Sequence, residues 1–215
     1  MAELRGTERE KNVPLSSYMT EKYFSSAQWE AFRFQAKAVK RLVDEGTVLE
    51  IGRGGGVVNA VLNSIGLTAE SLDINEHLNP TYVDDISRTD YVPPKLYDCV
   101  LCAEVLEHIP FERFDVCLEN IRKSTKKYAV ITLPNCHCNR IQIELTIGSH
   151  EKVLSFWPRK DPISSSHFWE LNSDKYCSNE AVLSHIERFF TVKDKGTVER
   201  LQYHYYYILE AKQLP

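Results

Sequence analysis

The chain has 215 residues, 43% of them hydrophobic, which is enough for one sizeable core and short for two. The formal net charge is −4 and adjacent basic pairs such as Lys126-Lys127 stand alone, so the basic cluster that marks a nucleic-acid or anionic-membrane footprint is missing. The 6 cysteines fall mostly in apolar stretches rather than in a disulfide framework, and the amino terminus, MAELRGTEREKN, is charged with no bilayer-length apolar run near it; the expectation is a soluble, cytoplasmic protein.

In chain order, residues 1–24 read as a tail or lid. Ser25-x-x-Gln28 has the spacing of a capping box, and Trp29, Phe32, Ala36, Val39 and Val43 follow at helical spacing until Gly46 stops the run. This helix is expected to cover one sheet face, with Trp29 packed against it. TVLEIG then reads as a strand, and Val57, Val58, Val61, Leu62 and Ile65 as a helix, which together open a βαβ unit. ESLDIN, TYVDDI and YDCVLCA give three more strands, a helix carries Phe111, Phe114, Leu118 and Ile121 on one face, and KKYAVITLP makes a fifth strand. Residues 135–178 show no clean periodicity but hold two of the 3 tryptophans, which suggests a packed cover over a site. SNEAVLSHIERFF reads as the last helix, and the remainder as two strands with a loop around Gly196. The expected fold class is α/β, a single doubly wound domain over residues 25–215 with a mostly parallel sheet and an antiparallel final strand pair.

The chemistry starts at Val48-Leu49-Glu50-Ile51-Gly52-Arg53-Gly54-Gly55-Gly56. A phosphate-binding loop needs Lys-Ser or Lys-Thr after the last glycine, where this chain has Val57-Val58. A dinucleotide fingerprint needs glycine at the sixth position from Gly52 or Gly54, where it has Val57 or Asn59. What is present is Gly52-x-Gly54-x-Gly56 preceded by Glu50, with Asp73 ending the next strand. The two carboxylate oxygens of Asp73 suit a pair of ribose hydroxyls without choosing the nucleoside.

With Asp84-Asp85-Ile86 before the fourth strand and Glu104-Val105-Leu106-Glu107-His108 after it, the sequence resembles the class I S-adenosylmethionine-dependent methyltransferases of small-molecule type. The resemblance spans roughly residues 45–135 and continues more loosely to SSSHFWEL. It implies a Rossmann-like fold and S-adenosyl-L-methionine as cofactor, leaving S-adenosyl-L-homocysteine as product. Gly52, Gly54 and Gly56 would form the turn beneath the cofactor, Glu50 would order that turn or meet the methionine amine, and Asp73 and Ile74 would take ribose and adenine. Asp85 and Ile86 would hold the adenine, while backbone groups of Cys102 and Ala103, with Glu104, would meet the amino-acid end. Arg53 departs from the usual small residue and either crowds the methionine end or binds its carboxylate. Tyr18, Lys22 and Tyr23 would close a lid over that carboxylate.

Methyl transfer from a sulfonium needs chiefly an aligned nucleophile, and a base only where the acceptor is protonated. His108, His137 and His167 are the candidates, and His167, within the aromatic cover, is the one expected to face the acceptor; its structural alternative is a ring bonded to a backbone carbonyl. Glu107 reads as a solvated acid favourable at a helix start. Cys136-His137-Cys138 has no second ligand pair elsewhere, so no metal is expected. The expected function is methyl transfer to oxygen or nitrogen of a small molecule, with neither nucleic acid nor membrane as partner. A methyltransferase-like module that binds without catalysis is the alternative, and a nicotinamide-dependent oxidoreductase the weaker one.

Overall fold

A computed structural model describes residues 6–148 and 150–213. Seven strands form one sheet in the order β3-β2-β1-β4-β5-β9-β8. These are β1 (Thr47–Ile51), β2 (Thr68–Asp73), β3 (Tyr82–Val83), β4 (Tyr97–Ala103), β5 (Thr125–Pro134), β8 (Phe190–Val198) and β9 (Leu201–Ala211), and β6 (His137–Ile147) with β7 (His150–Lys160) make a separate two-stranded ladder. The pairings from β3 through β5 are parallel, and β9 runs antiparallel to both β5 and β8. The expected mostly parallel sheet with an antiparallel final pair is therefore what forms.

The helices follow from the side-chain periods. In β4, Cys99 and Leu101 pack on one face with helices α2 (Ser26–Leu42) and α3 (Val57–Ser64), while Val100 and Cys102 pack on the other with α4 (Phe114–Ser124) and α5 (Asn179–Ile186). Helix α2 starts where the sequence indicates, with Ser25 Oγ accepting the Gln28 N–H at 3.4 Å. Trp29, however, is 48% exposed; Phe32 covers the sheet instead, and Trp29 packs edge-on against it. Gly196 lies inside β8, and the chain reverses after Val198.

The segment read as aperiodic contains the β6–β7 hairpin. Its base is fastened to β9 through Gln202, whose side chain accepts the Asn139 N–H and donates to Ser155. Ile143, Leu145, Ile147, Phe156 and Trp157 on this arm are exposed. Residues 161–178 return to the domain, with Trp169 fully buried among Phe111 and Phe114 and its Nε1 donating to the Ile109 carbonyl at 3.0 Å.

The short helix α1 (Gly6–Glu10) lies against the 3₁₀ turn Leu106–His108. Gly6 permits this, because its φ is +55° and a Cβ there would stand 2.5 Å from the His108 carbonyl oxygen. No helix among the described residues is long and apolar enough to cross a membrane.

Candidate active site

The sheet order reverses at β1, whose neighbours β2 and β4 lie on opposite sides, and in such sheets the crevice beyond the carboxyl ends of the strands is where ligands bind. A cavity of about 280 Å³ lies there. Of the residues expected to form the site, Glu50, Gly52, Arg53, Gly54, Asp73, Ile74, Asp85, Ile86, Ala103, Glu104 and His108 line it. Gly56, Cys102 and His167 do not. Gly56 is the left-handed residue that starts α3, Cys102 is fully buried in the core behind Ala103, and His167 stands beyond His108.

The turn after β1 is built from both sides. Gly52 has φ +82° and lies against Val105, whose Cγ2 would be 2.2 Å from any Cβ added there. Asp73 ties the turn to β2: its Oδ2 accepts the Arg53 N–H at 2.8 Å and its Oδ1 the Asn75 N–H at 2.9 Å. Tyr23 reaches over from the amino-terminal segment, and its hydroxyl accepts the Gly55 N–H at 3.1 Å. Thr7, Glu10, Tyr18 and Gln28 also line the cavity. Sequence pattern indicated Tyr18 and Tyr23 only as lid residues, and Thr7, Glu10 and Gln28 not at all. Arg53 directs its guanidinium to the Leu78 carbonyl at 2.5 Å and across Gly56. Asp85 Oδ1 accepts the backbone N–H and hydroxyl of Ser87.

Glu50 is 5% exposed, and its Oε2 has no hydrogen-bond partner. Burial pushes its pKa up to about 8, against the opposing effects of Asn59 and Arg53. A buried acid with no ion pair among the described residues, at the foot of a cavity, fits a ligand that brings its own ammonium, and the Asp73 carboxylate fits a diol. Burial also raises the pKa of Asp73, although backbone N–H groups oppose it.

At the other end of the cavity, Glu104 takes φ +54° as β4 ends, and its Oε1 is buried 3.3 Å from His204 Nδ1 without hydrogen-bond geometry. Glu107 is not solvated, as sequence suggested, but 1% exposed, and its Oε2 has no partner. The reason is that the Leu106–His108 turn is roofed by α1 and by residues 166–169, with the Phe168 N–H donating to the Glu107 carbonyl. Burial and then the charge of Glu104 hold the Glu107 carboxyl well above its usual range. Burial, followed by the nearby His167, pushes the His108 pKa down to about 4. The two imidazoles meet edge to face with centroids 4.7 Å apart. His167 bonds through Nδ1 to the Glu170 carboxylate at 2.8 Å rather than to a backbone carbonyl. Burial would raise the Glu170 pKa, but bonds from His167, the Ser164 N–H and Tyr203 outweigh it and hold it low. Cys136 and Cys138 are spent locally, on Glu170 and the Asn135 carbonyl.

A parallel sheet that reverses at β1, a glycine turn with an acid on each side, and an antiparallel closing pair together define a nucleoside-binding α/β enzyme of the Rossmann-like type. The family model for a methyltransferase domain matches residues 23–175, so the chain belongs to that family and is a class I methyltransferase whose cofactor is S-adenosylmethionine. A search of curated proteins returned no match. Solved structures share the fold at low identity. One is the N-methyltransferase NodS from Bradyrhizobium japonicum WM9 in complex with S-adenosyl-L-homocysteine, with TM-score 0.58 and 10% identity over 96% of this chain and 97% of that one. Another is magnesium protoporphyrin IX methyltransferase from Synechocystis PCC 6803 with bound cofactor, with TM-score 0.57 and 14% identity over 99% and 100%. A third is an S-adenosylmethionine-dependent methyltransferase from Clostridium acetobutylicum ATCC 824, with TM-score 0.56 and 11% identity over 86% and 91%.

Proposed function

We propose that the cavity holds S-adenosylmethionine with its ribose on Asp73, its adenine between Ile74 and Asp85-Ile86, and its ammonium at Glu50, and that a small-molecule acceptor enters beside Glu104 and His108. The observation that carries this reading is the continuity of one cavity from Asp73 and Asp85, past Glu50, to His108. When bound, the cofactor supplies a methyl group on a sulfonium that is already a good leaving group. The chain therefore has three tasks: to orient the acceptor within about 3 Å of the methyl carbon, to exclude water, and to handle any acceptor proton. Ala103 and Glu104 end β4 beside the amino-acid portion of the ligand, and the His108–His167 pair stands where the acceptor atom is handled.

Residues 6–24 act as a lid in this reading, through Tyr18 and Tyr23. Residues 161–178 form the cover, backing His108 through His167, while the β6–β7 arm lies outside the cavity. The net charge of −4 favours a small acceptor over nucleic acid, and six free thiols suit the cytoplasm. Calorimetric titration with S-adenosyl-L-homocysteine, with NAD as control, tests the cofactor site: micromolar binding of the first alone supports it, and binding of NAD alone overturns it. Transfer of a labelled methyl group to low-molecular-weight cell extract tests catalysis, and cofactor binding without any transfer favours a binding module.

A further inference from the structure

Glu107, His108 and His167 each offer one ligand atom, and the three atoms lie within 4.8 Å of one another. We propose that these residues bind a divalent transition-metal cation, Zn²⁺ by preference, at the acceptor end of the cavity. An unpartnered buried atom points to a missing ligand: Glu107 Oε2, on a residue 1% exposed. His108 Nδ1 likewise makes no hydrogen bond, with Glu10 Oε1 3.4 Å away, and His108 Nε2 faces Glu107. Among the described residues, the one basic group within ion-pair distance of Glu107 is His108, 3.9 Å away, so no fixed cation compensates this carboxylate.

A second observation is independent of the cluster. His167 Nδ1 is engaged by the buried Glu170 carboxylate at 2.8 Å, and Glu170 is itself fixed by Tyr203 and the Ser164 N–H. A carboxylate on the far nitrogen is the usual way of orienting a metal-binding histidine, and it leaves Nε2 as the donor. Two imidazoles and one carboxylate suit Zn²⁺, Co²⁺ or Fe²⁺ better than Mg²⁺ or Ca²⁺. Around tetrahedral zinc the ligand atoms stand roughly 3.4 Å apart, so loading draws these side chains together by about an ångström.

Three protein ligands leave a position open, and His108 lies on the cavity wall. That position takes the acceptor. This second step rests on the methyl-transfer reading, whereas the cation site does not. An amine bound to the cation would have its only lone pair occupied, so the acceptor atom is a hydroxyl oxygen. Coordination acidifies the hydroxyl and its proton leaves to water. One oxygen lone pair stays on the cation, and another forms the new C–O bond as the pair of the S–CH₃ bond passes to sulfur. In this assignment His108 and His167 hold the acceptor through the cation rather than serving as its base.

The test is calorimetric titration of chelator-treated full-length protein with ZnCl₂, and separately with MgCl₂, followed by visible spectroscopy after CoCl₂ addition. The expected result is one Zn²⁺ per chain, weaker Mg²⁺ binding, and cobalt bands of a nitrogen–oxygen ligand set. Glu107→Gln and His167→Asn, checked for folding by circular dichroism, should each weaken Zn²⁺ binding by at least about 100-fold, more than the loss of an outer-shell partner costs. Folded wild-type protein that takes up no stoichiometric Zn²⁺ or Co²⁺ overturns the site, as does unchanged affinity in both variants; the wild-type measurement decides even if the variants do not fold. S-adenosyl-L-homocysteine binding without metal binding overturns this inference alone, and metal binding without it overturns the methyl-transfer reading alone. Methyl recovered on nitrogen overturns the oxygen assignment.

Discussion

Replacing Asp73 by asparagine separates two duties of one carboxylate. Its oxygens accept the backbone N–H groups of Arg53 and Asn75 at 2.8 and 2.9 Å, which leaves one lone pair on each for a ribose hydroxyl. In Asp73→Asn one oxygen becomes an NH₂ group that must face one of these two N–H groups. The orphaned buried donor costs about 1–3 kcal/mol of stability. Loss of one charge-assisted bond to the ribose costs a further 1.5–3 kcal/mol of binding, roughly a 10- to 150-fold weaker Kd. Urea unfolding of the free protein reads the first effect, and calorimetric titration of the folded variant with S-adenosyl-L-homocysteine reads the second. A variant that binds the product as tightly as wild type refutes the ribose assignment; one that is equally stable refutes the claim that this carboxylate orders the glycine turn.

Stability of the free protein should fall as pH rises from about 6.5 to 9. Glu50 has its pKa raised from 4.5 to about 8, so the folded state keeps a proton that the unfolded chain has released, and the resulting stability is lost as pH passes through the folded value. The depressed values of His108 and His204, both about 4 against an ordinary 6.5, act below this window. Burial also raises Glu104 to about 8 and Glu107 well above its usual range, so Glu50→Gln should reduce the slope of the urea midpoint against pH without abolishing it, and an unaltered slope would count against Glu50 as a source. Trp169→Ala should cost about 3–5 kcal/mol in urea unfolding, because a ring 1% exposed between Phe111 and Phe114 leaves a cavity and the Ile109 carbonyl loses its donor. A loss under about 1 kcal/mol would show that this segment is not part of the core.

The parts legible in the sequence are those whose signals are local. β4 and β5 carry β-branched or apolar runs with clear ends, Ser25 caps α2 through Gln28, and Glu50, Asp73 and Asp85 sit at fixed steps from strands that the sheet must bring side by side. Strand β6 was not read from the sequence: Ile141, Ile143, Leu145 and Ile147 do alternate, but Ile143, Leu145 and Ile147 meet solvent rather than a sheet, so the pattern points to no core. The acceptor end was hidden for a different reason. Glu107 looks like a helix-start acid because its neighbours in sequence say so, whereas its burial comes from Gly6 and Phe168, about a hundred and sixty residues of chain apart. Likewise His167 reads as one histidine in an aromatic loop until His108 and Glu170 are seen on either side of it. Metal sites legible from spacing pair cysteines and histidines close in sequence, whereas the proposed ligands come from one turn and one distant loop.

Glu50 offers a final test of how the fold prepares the site. Folding buries its carboxylate without an ion pair, and burial outweighs the charge of Arg53, so at pH 7 the free protein holds the acid mostly protonated, with a pKa of about 8. An ammonium arriving in the cavity supplies the missing charge, lowers that pKa and expels the proton. Binding of S-adenosyl-L-homocysteine at pH 7 should then release close to one proton per chain. Titration in two buffers of different ionisation enthalpy measures this directly, since the apparent binding heat changes by the buffer term for each proton released. In Glu50→Gln the release should vanish while the buffer-independent heat remains. Equal heats in both buffers for the wild type would mean that the ammonium does not meet Glu50, and the orientation of the cofactor along the cavity would have to be reversed.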